Sequence, residues 1–299
     1  MIIPPLLAPG STIGITATAR KVLMPEITFA IQSMTSAGYK IILSPEVFAA
    51  ENQFAGSDEM RAAAFNQMLA NPEINAIWCA RGGYGSVRLL EKIDWHMLKQ
   101  NPKWIMGFSD VTAIHSHVYT QAGACSIHCP MPFAFEKQTE ASQQNLLKVL
   151  SNGSLTYQAP SHLLNRKGAT SGKMVGGNLS VLYSLLASKS HMQTNGCILF
   201  LEDLDEYLYH IDRMMMALKR AGMLENLSGL VVGGMTDMHD NPQPFGSSVE
   251  EIVLDAVKQY DYPVCFGFPS GHIPTNFAWI HGAETSLSVG TESILTQKI

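Results

Sequence analysis

The chain has 299 residues, of which 46% are hydrophobic and 15% charged, and a formal net charge of −5. That length accommodates two ordinary domains with a sizeable core. The mild acidity, without any basic run, argues against a nucleic-acid or anionic-membrane surface and leaves a small molecule or a peptide as the expected partner.

The first residues lack a basic n-region and are broken by Pro4, Pro5 and Pro9, so they do not read as a secretory signal. No apolar stretch reaches membrane-spanning length. Thr12 to Thr16 reads as a first strand. Pro25 opens a helical segment with Ile27, Ile31 and Met34 on one face and a stop at Gly38. Lys40 to Leu43 is a second strand. Ser57 caps a helix carrying Met60, Ala64 and Met68 on one side, ended by Asn71-Pro72. Ile74 to Cys79 is a third strand, followed by Arg81-Gly82-Gly83-Tyr84-Gly85, and Trp104 to Phe108 is a fourth. Strands alternating with helices predict an α/β fold with a doubly wound, mostly parallel, Rossmann-like sheet over residues 1–150. In such sheets ligands collect beyond the carboxyl ends of the strands, where both the glycine-rich loop and Ser109 fall.

Residues 151–173 are rich in turn formers and read as a linker. A smaller mixed α/β domain is expected over 174–299, with Gly176-Gly177-Asn178, a strand from Cys197 to Leu201, a helix from Tyr209 to Ala221, strands at 229–233 and 264–268, and a tail of short strands. The five cysteines (79, 125, 129, 197 and 265) are odd in number and scattered, as expected of a reduced cytoplasmic protein.

Several residues could carry chemistry. The 81–85 loop matches neither a dinucleotide fingerprint nor a P-loop, so its glycines serve either close backbone approach to a ligand or a turn needing positive φ. Ser109 stands where a strand meets a helix, the position of a nucleophile with the next amide available to an oxyanion; the alternative is a plain N-cap. Gly107-Phe108-Ser109-Asp110-Val111 departs from the G-x-S-x-G elbow of α/β-hydrolases at its last position. Among ten histidines, His115 and His117 point to different faces of one helix, and His281 falls within a strand. His128 lies between Cys125 and Cys129, but alternation turns it away from both, and no metal site is expected there. His272 sits in a tight loop set by Gly271 and Pro274. Glu202 is the first charged residue past an apolar strand, placed like a carboxylate that orients a base.

Taken in order, Cys79 to Gly85, Gly107 to Asp110, Gly176 to Asn178, Leu201 to Asp203, Ile211 to Arg213 and Gly271-His272 resemble the L,D-carboxypeptidase family of serine peptidases, the muramoyl-tetrapeptide carboxypeptidases, over essentially the whole chain. The resemblance implies Ser109 as nucleophile, His272 as general base and Glu202 as its orienter, with the active site in a cleft between the two domains. It also implies an oxyanion hole from the Asp110 amide and a glycine amide of the 81–85 loop, Gly83 being preferred to Gly82. Arg81, Tyr84, Gly177 and Asn178 are the candidate substrate-binding residues, with Arg81 and Asn178 facing the terminal carboxylate. A murein peptide substrate, release of C-terminal D-alanine, a homodimer and no cofactor follow from the same resemblance. Two departures stand near the substrate: Cys129 where glycine is usual, and Ala17-Thr18-Ala19-Arg20 where Ala-Pro-Ser is usual. Rival readings are a microcin-immunity-type peptidase cleaving peptidyl–nucleotide conjugates, which would need an aromatic platform, and a non-catalytic small-molecule-binding module.

Overall fold

A computed structural model describes residues 1–299. Along the chain the elements are β1 (Thr12–Thr16), α1 (Met24–Ser36), β2 (Lys40–Leu43), α2 (Asp58–Ala70), β3 (Ile74–Cys79), α3 (Met97–Gln100), β4 (Trp104–Gly107), α4 (Thr112–His117), β5 (Ser126–His128) and α5 (Glu140–Ser151). There follow β6 (Ser154–Ala159), β7 (Gly168–Asn178), α6 (Leu179–Ser184), β8 (Ile198–Leu204), α7 (Leu208–Arg220), β9 (Gly229–Thr236), α8 (Val249–Ala256), β10 (Val264–Cys265), β11 (Trp279–His281), β12 (Glu284–Val289) and β13 (Ser293–Lys298). They divide into two compact units, one of 1–153 with 274–281 and one of 154–273 with 282–299. No helix is long and apolar enough to cross a membrane.

In the first unit the six strands run in the order β11-β5-β4-β3-β1-β2, all parallel except β11, which pairs antiparallel with β5. Burial on both faces explains why β1, β3 and β4 read as near-continuous apolar runs: all of β1 and β4, and all of β3 except Asn75, is buried. α2 begins as expected, with the Ser57 hydroxyl accepting from the Met60 amide at 3.2 Å. Trp78, Trp104 and Trp279 are fully buried, and Trp78 and Trp104 donate their indole N–H to Pro130 O (2.9 Å) and Pro5 O (2.8 Å). These bonds satisfy the one polar atom each brings into the core.

The second unit holds seven strands in the order β10-β9-β8-β7-β12-β13-β6. Its β10, β9, β8 and β7 are parallel, while β12, β13 and β6 join antiparallel to the outer length of β7. The alternating burial of β6, β12 and β13 marks a half-solvated antiparallel sheet, against the wholly buried run Ile198 to Asp203 of β8.

Two expectations about boundaries are corrected. The stretch 151–173 is not a linker: it contains β6 and the first half of β7, because the turn formers at 160–167 connect strands. The segment from 174 to the end is also not a single block, since 274–281 leaves the second sheet and adds β11 to the first. The helix that follows Ser109 is regular α-helix only in α4; a 3₁₀ turn, Ser109–Val111, precedes it and a π turn, Val118–Ala122, follows before Gly123 (φ 64) ends it.

Candidate active site

In the first unit the site is assembled at the carboxyl ends of β1, β3 and β4. Gly107 leaves β4 with φ 155, and any Cβ there would lie 2.9 Å from Val111 Cγ2. Phe108 is extended, and Ser109 then takes φ 59. A non-glycine residue in the left-handed region is costly and persists only where the surroundings enforce it. This is no helix cap: the residue preceding the turn is Phe108, no side chain caps it, and Ser109 is the first residue of the turn itself.

Asp110 ties this turn to the glycine-rich loop. Its buried carboxylate accepts the Ser86 amide at 2.8 Å. Burial raises its pKa, opposed by the Ser86 and Gly85 hydrogen bonds and the charge of Arg61. Arg61 in turn donates Nη1 to the carbonyls of Thr18 and Gly85 (3.2 Å to the latter) and pairs with Asp58. The loop after β3 is therefore anchored at both the β1 and β4 ends. Gly82 lies against the Ser109 turn: its absent Cβ would sit 3.4 Å from Ser109 Cβ and 3.5 Å from the Asp110 amide nitrogen. At Gly83 (φ 106) the Cβ direction faces Arg20 instead. Of the two, Gly82 is the residue packed on Ser109, and the Gly83 amide is the next peptide along. Tyr84 is exposed, with its ring 6.1 Å from Phe54.

His115 supports the turn from below. Its Nε2 lies 2.9 Å from Gly107 O and its Nδ1 2.8 Å from Ser126 Oγ. A carbonyl only accepts, so Nε2 carries the proton and Nδ1 accepts from the Ser126 hydroxyl. Full burial drives its pKa down to about 4 against a raising effect of the Gly107 bond. His281, also buried and held well below the usual range by burial and by His115, stacks on that ring at 5.7 Å. His128 stacks on Trp279 at 4.9 Å, and His117 packs on Trp95 at 5.4 Å.

In the second unit Glu202 closes the apolar run of β8 and is fully buried. Its Oε2 accepts both the His272 backbone N–H (3.1 Å) and the ring Nδ1 (2.6 Å). Nδ1 is thereby the protonated nitrogen and Nε2 the basic one, the tautomer a general base needs. Burial lowers the His272 pKa, but the charge of Glu202, its hydrogen bond and the charge of Asp203 outweigh that and raise it overall. Glycines make this approach possible. Gly271 (φ 113) places its Cβ direction 2.8 Å from Glu202 Oε2, and a Cβ on Gly233 would be 2.3 Å from Ser270 O. The Gly233-Gly234 pair, which the sequence marks only as the end of a strand, lets the 270–273 loop lie directly on β9, with Gly234 N–H bonded to Ser270 O at 2.9 Å.

Asp203, the neighbour of Glu202 in the Leu201 to Asp203 motif, has a role the sequence does not specify. It accepts Asn178 Nδ2 (2.9 Å), Ser180 N (2.8 Å) and Leu204 N (2.9 Å), and burial followed by the charge of Glu202 pushes its pKa up to about 6. Asn178 Oδ1 caps α6 through Val181 N at 3.1 Å. The buried Asn178 side chain thus has a structural task, and Gly177 (φ 150) lies beside it at the end of β7. Arg81 is likewise occupied: its guanidinium lies 3.9 Å over the Phe133 ring, donates to Lys21 O at 3.2 Å and approaches Glu26 at 3.9 Å.

Residues 13–129 match the model of the LD-carboxypeptidase N-terminal domain, and residues 171–287 that of its C-terminal domain. The chain belongs to the LD-carboxypeptidase family. It is 27% identical to a murein tetrapeptide carboxypeptidase of Pseudomonas aeruginosa (93% of this chain, 90% of that protein). It is also 26% identical to the microcin C7 self-immunity protein MccF of Escherichia coli (89% and 87%). In fold it superposes on the crystal structure of a muramoyltetrapeptide carboxypeptidase from Oxalobacter formigenes with TM-score 0.88 and 24% identity, over 96% of this chain and 99% of that one.

Proposed function

We propose that this family member is a serine-type L,D-carboxypeptidase that releases the C-terminal D-alanine of murein tetrapeptides during peptidoglycan recycling, with Ser109, His272 and Glu202 as its triad. The observation that carries the reading is Ser109 held at φ 59 beyond the carboxyl end of β4, in a chain whose halves match the two LD-carboxypeptidase domains. His272 Nε2 takes the Ser109 proton as Oγ attacks the scissile carbonyl. The amides of Asp110 and Gly83 stabilise the oxyanion, each worth about 3 kcal/mol of barrier. His272 then protonates the departing amine of D-alanine, and a water activated by the same ring resolves the acyl-enzyme. Glu202 keeps Nδ1 protonated throughout and stabilises the imidazolium. This chemistry uses no cofactor, and the reading extends to a cytoplasmic homodimer acting on re-imported wall fragments.

The peptidyl–nucleotide reading is less well supported. All four tryptophans belong to the core, three fully buried and Trp95 8% exposed, so none offers a platform to a base. The test is D-alanine release from a murein tetrapeptide by wild type and Ser109→Ala, with the all-L peptide as control. Wild type should release D-alanine only from the L,D peptide, and Ser109→Ala should lose several orders of magnitude in turnover. Hydrolysis of a peptidyl-adenylate analogue in place of the tetrapeptide would transfer the assignment to the immunity-type reaction. Equal behaviour of both proteins on every substrate would refute a serine mechanism.

A further inference from the structure

An exopeptidase must bind the free carboxylate one residue beyond the bond it cuts, and the two side chains the sequence offered for this, Arg81 and Asn178, are engaged elsewhere. We propose that Arg20 recognises the terminal carboxylate of the substrate. The inference rests on the carboxypeptidase reading above.

Arg20 is exposed, and its guanidinium has no carboxylate partner in the structure, in contrast to Arg61, Arg81 and Arg88 around it. Its backbone is fixed beside the glycine loop: Arg20 N–H meets Gly82 O at 3.4 Å, and Arg20 pairs with Phe54 in an isolated bridge. Its side chain is laid along the loop. The position a Cβ of Gly83 would occupy is 2.6 Å from Arg20 Cδ and 2.9 Å from its Nε, so the arginine stem lies against this glycine. Gly82, the adjacent residue, packs against Ser109. Arg20 therefore flanks the loop whose Gly82 packs on Ser109, with its backbone bonded to Gly82 and its side chain along Gly83. A guanidinium presents paired N–H donors matched to a carboxylate, and one without an internal partner is available for it.

The experiment compares kcat and KM for the tetrapeptide with a free C-terminal carboxylate and for its C-terminal amide, using wild type, Arg20→Gln and Arg20→Lys. Wild type should prefer the free acid. Arg20→Gln should raise KM for the acid about ten- to a hundredfold, as expected for loss of a charge-assisted pair, with kcat and the constants for the amide little changed. Arg20→Lys should recover part of the preference. The unchanged amide hydrolysis reports that the variant is folded. Retention of the full acid-over-amide preference by Arg20→Gln, with wild type active, would overturn the assignment alone, as would its loss in Arg81→Gln only. If wild type releases nothing from either peptide, the carboxypeptidase reading fails and this one with it.

Discussion

His115 should make the first unit acid-sensitive in a way that one substitution removes. Its folded pKa is about 4, against an ordinary histidine value of about 6.5 in the unfolded chain. Above pH 6.5 both states are neutral at this position and no stability is lost. As pH falls, the unfolded chain takes up a proton that the folded ring refuses, so stability declines until about pH 4 and then levels. Between pH 7 and pH 5 this single ring should remove about 2 kcal/mol of stability. Replacing it by glutamine keeps an N–H donor for the Gly107 carbonyl but abolishes the titration. All four tryptophans lie in the first unit, so their fluorescence follows its unfolding. In urea titrations at pH 7 and pH 5, His115→Gln should lose about 2 kcal/mol less than wild type over that interval. The comparison cancels titrations shared by both proteins, including those of Asp203 in the second unit and most of that of His281. Identical pH dependence in the two proteins would refute the neutral, doubly hydrogen-bonded state assigned to His115.

Glu202→Gln should lower the His272 pKa, because the charge that holds it up is gone; NMR titration of the imidazole should show it, and the acid limb of residual activity should move to lower pH. The raised pKa also means that the Glu202–His272 pair stabilises the fold fully below the ordinary histidine range and loses that contribution as pH rises through the folded value. Gly233→Ala drives a methyl to 2.3 Å from Ser270 O and should cost about 1–3 kcal/mol in thermal or urea unfolding, together with activity, since the loop it displaces carries His272. Gly82→Ala has no forbidden φ to adopt, and its methyl meets the flexible Met131 Cε at 3.1 Å before Ser109. It should therefore spare stability by circular dichroism while reducing kcat more than KM. Wild-type turnover in that variant would remove Gly82 from the proposed site.

Much of the first unit was legible from local chemistry. Strands buried on both faces must be continuously apolar, and Thr12 to Thr16, Ile74 to Cys79 and Trp104 to Gly107 were readable for that reason. Ser57 announced α2, and the glycine loop and Ser109 fell at strand ends by chain order alone. The stretch 151–173 reads as a linker because turn formers dominate its middle and the outer length of β7 is mostly exposed, although β6 alternates as a half-solvated antiparallel strand does.

The sequence by itself determined which residues end at a parallel sheet's carboxyl edge, because that follows from the order of strands and helices. Only the tertiary structure decided which of them touch. The pairing of Glu202 with His272 spans 70 residues, and it depends on Gly233 and Gly271 having no Cβ where two segments meet. The addition of β11 to the first sheet, the commitment of Asn178 to Asp203 and the free guanidinium of Arg20 are likewise outcomes of long-range packing. Local propensity carries no information about a partner brought in by the closure of a distant loop: only the family resemblance linked Glu202 with His272, and the other three have no local signal in the residues.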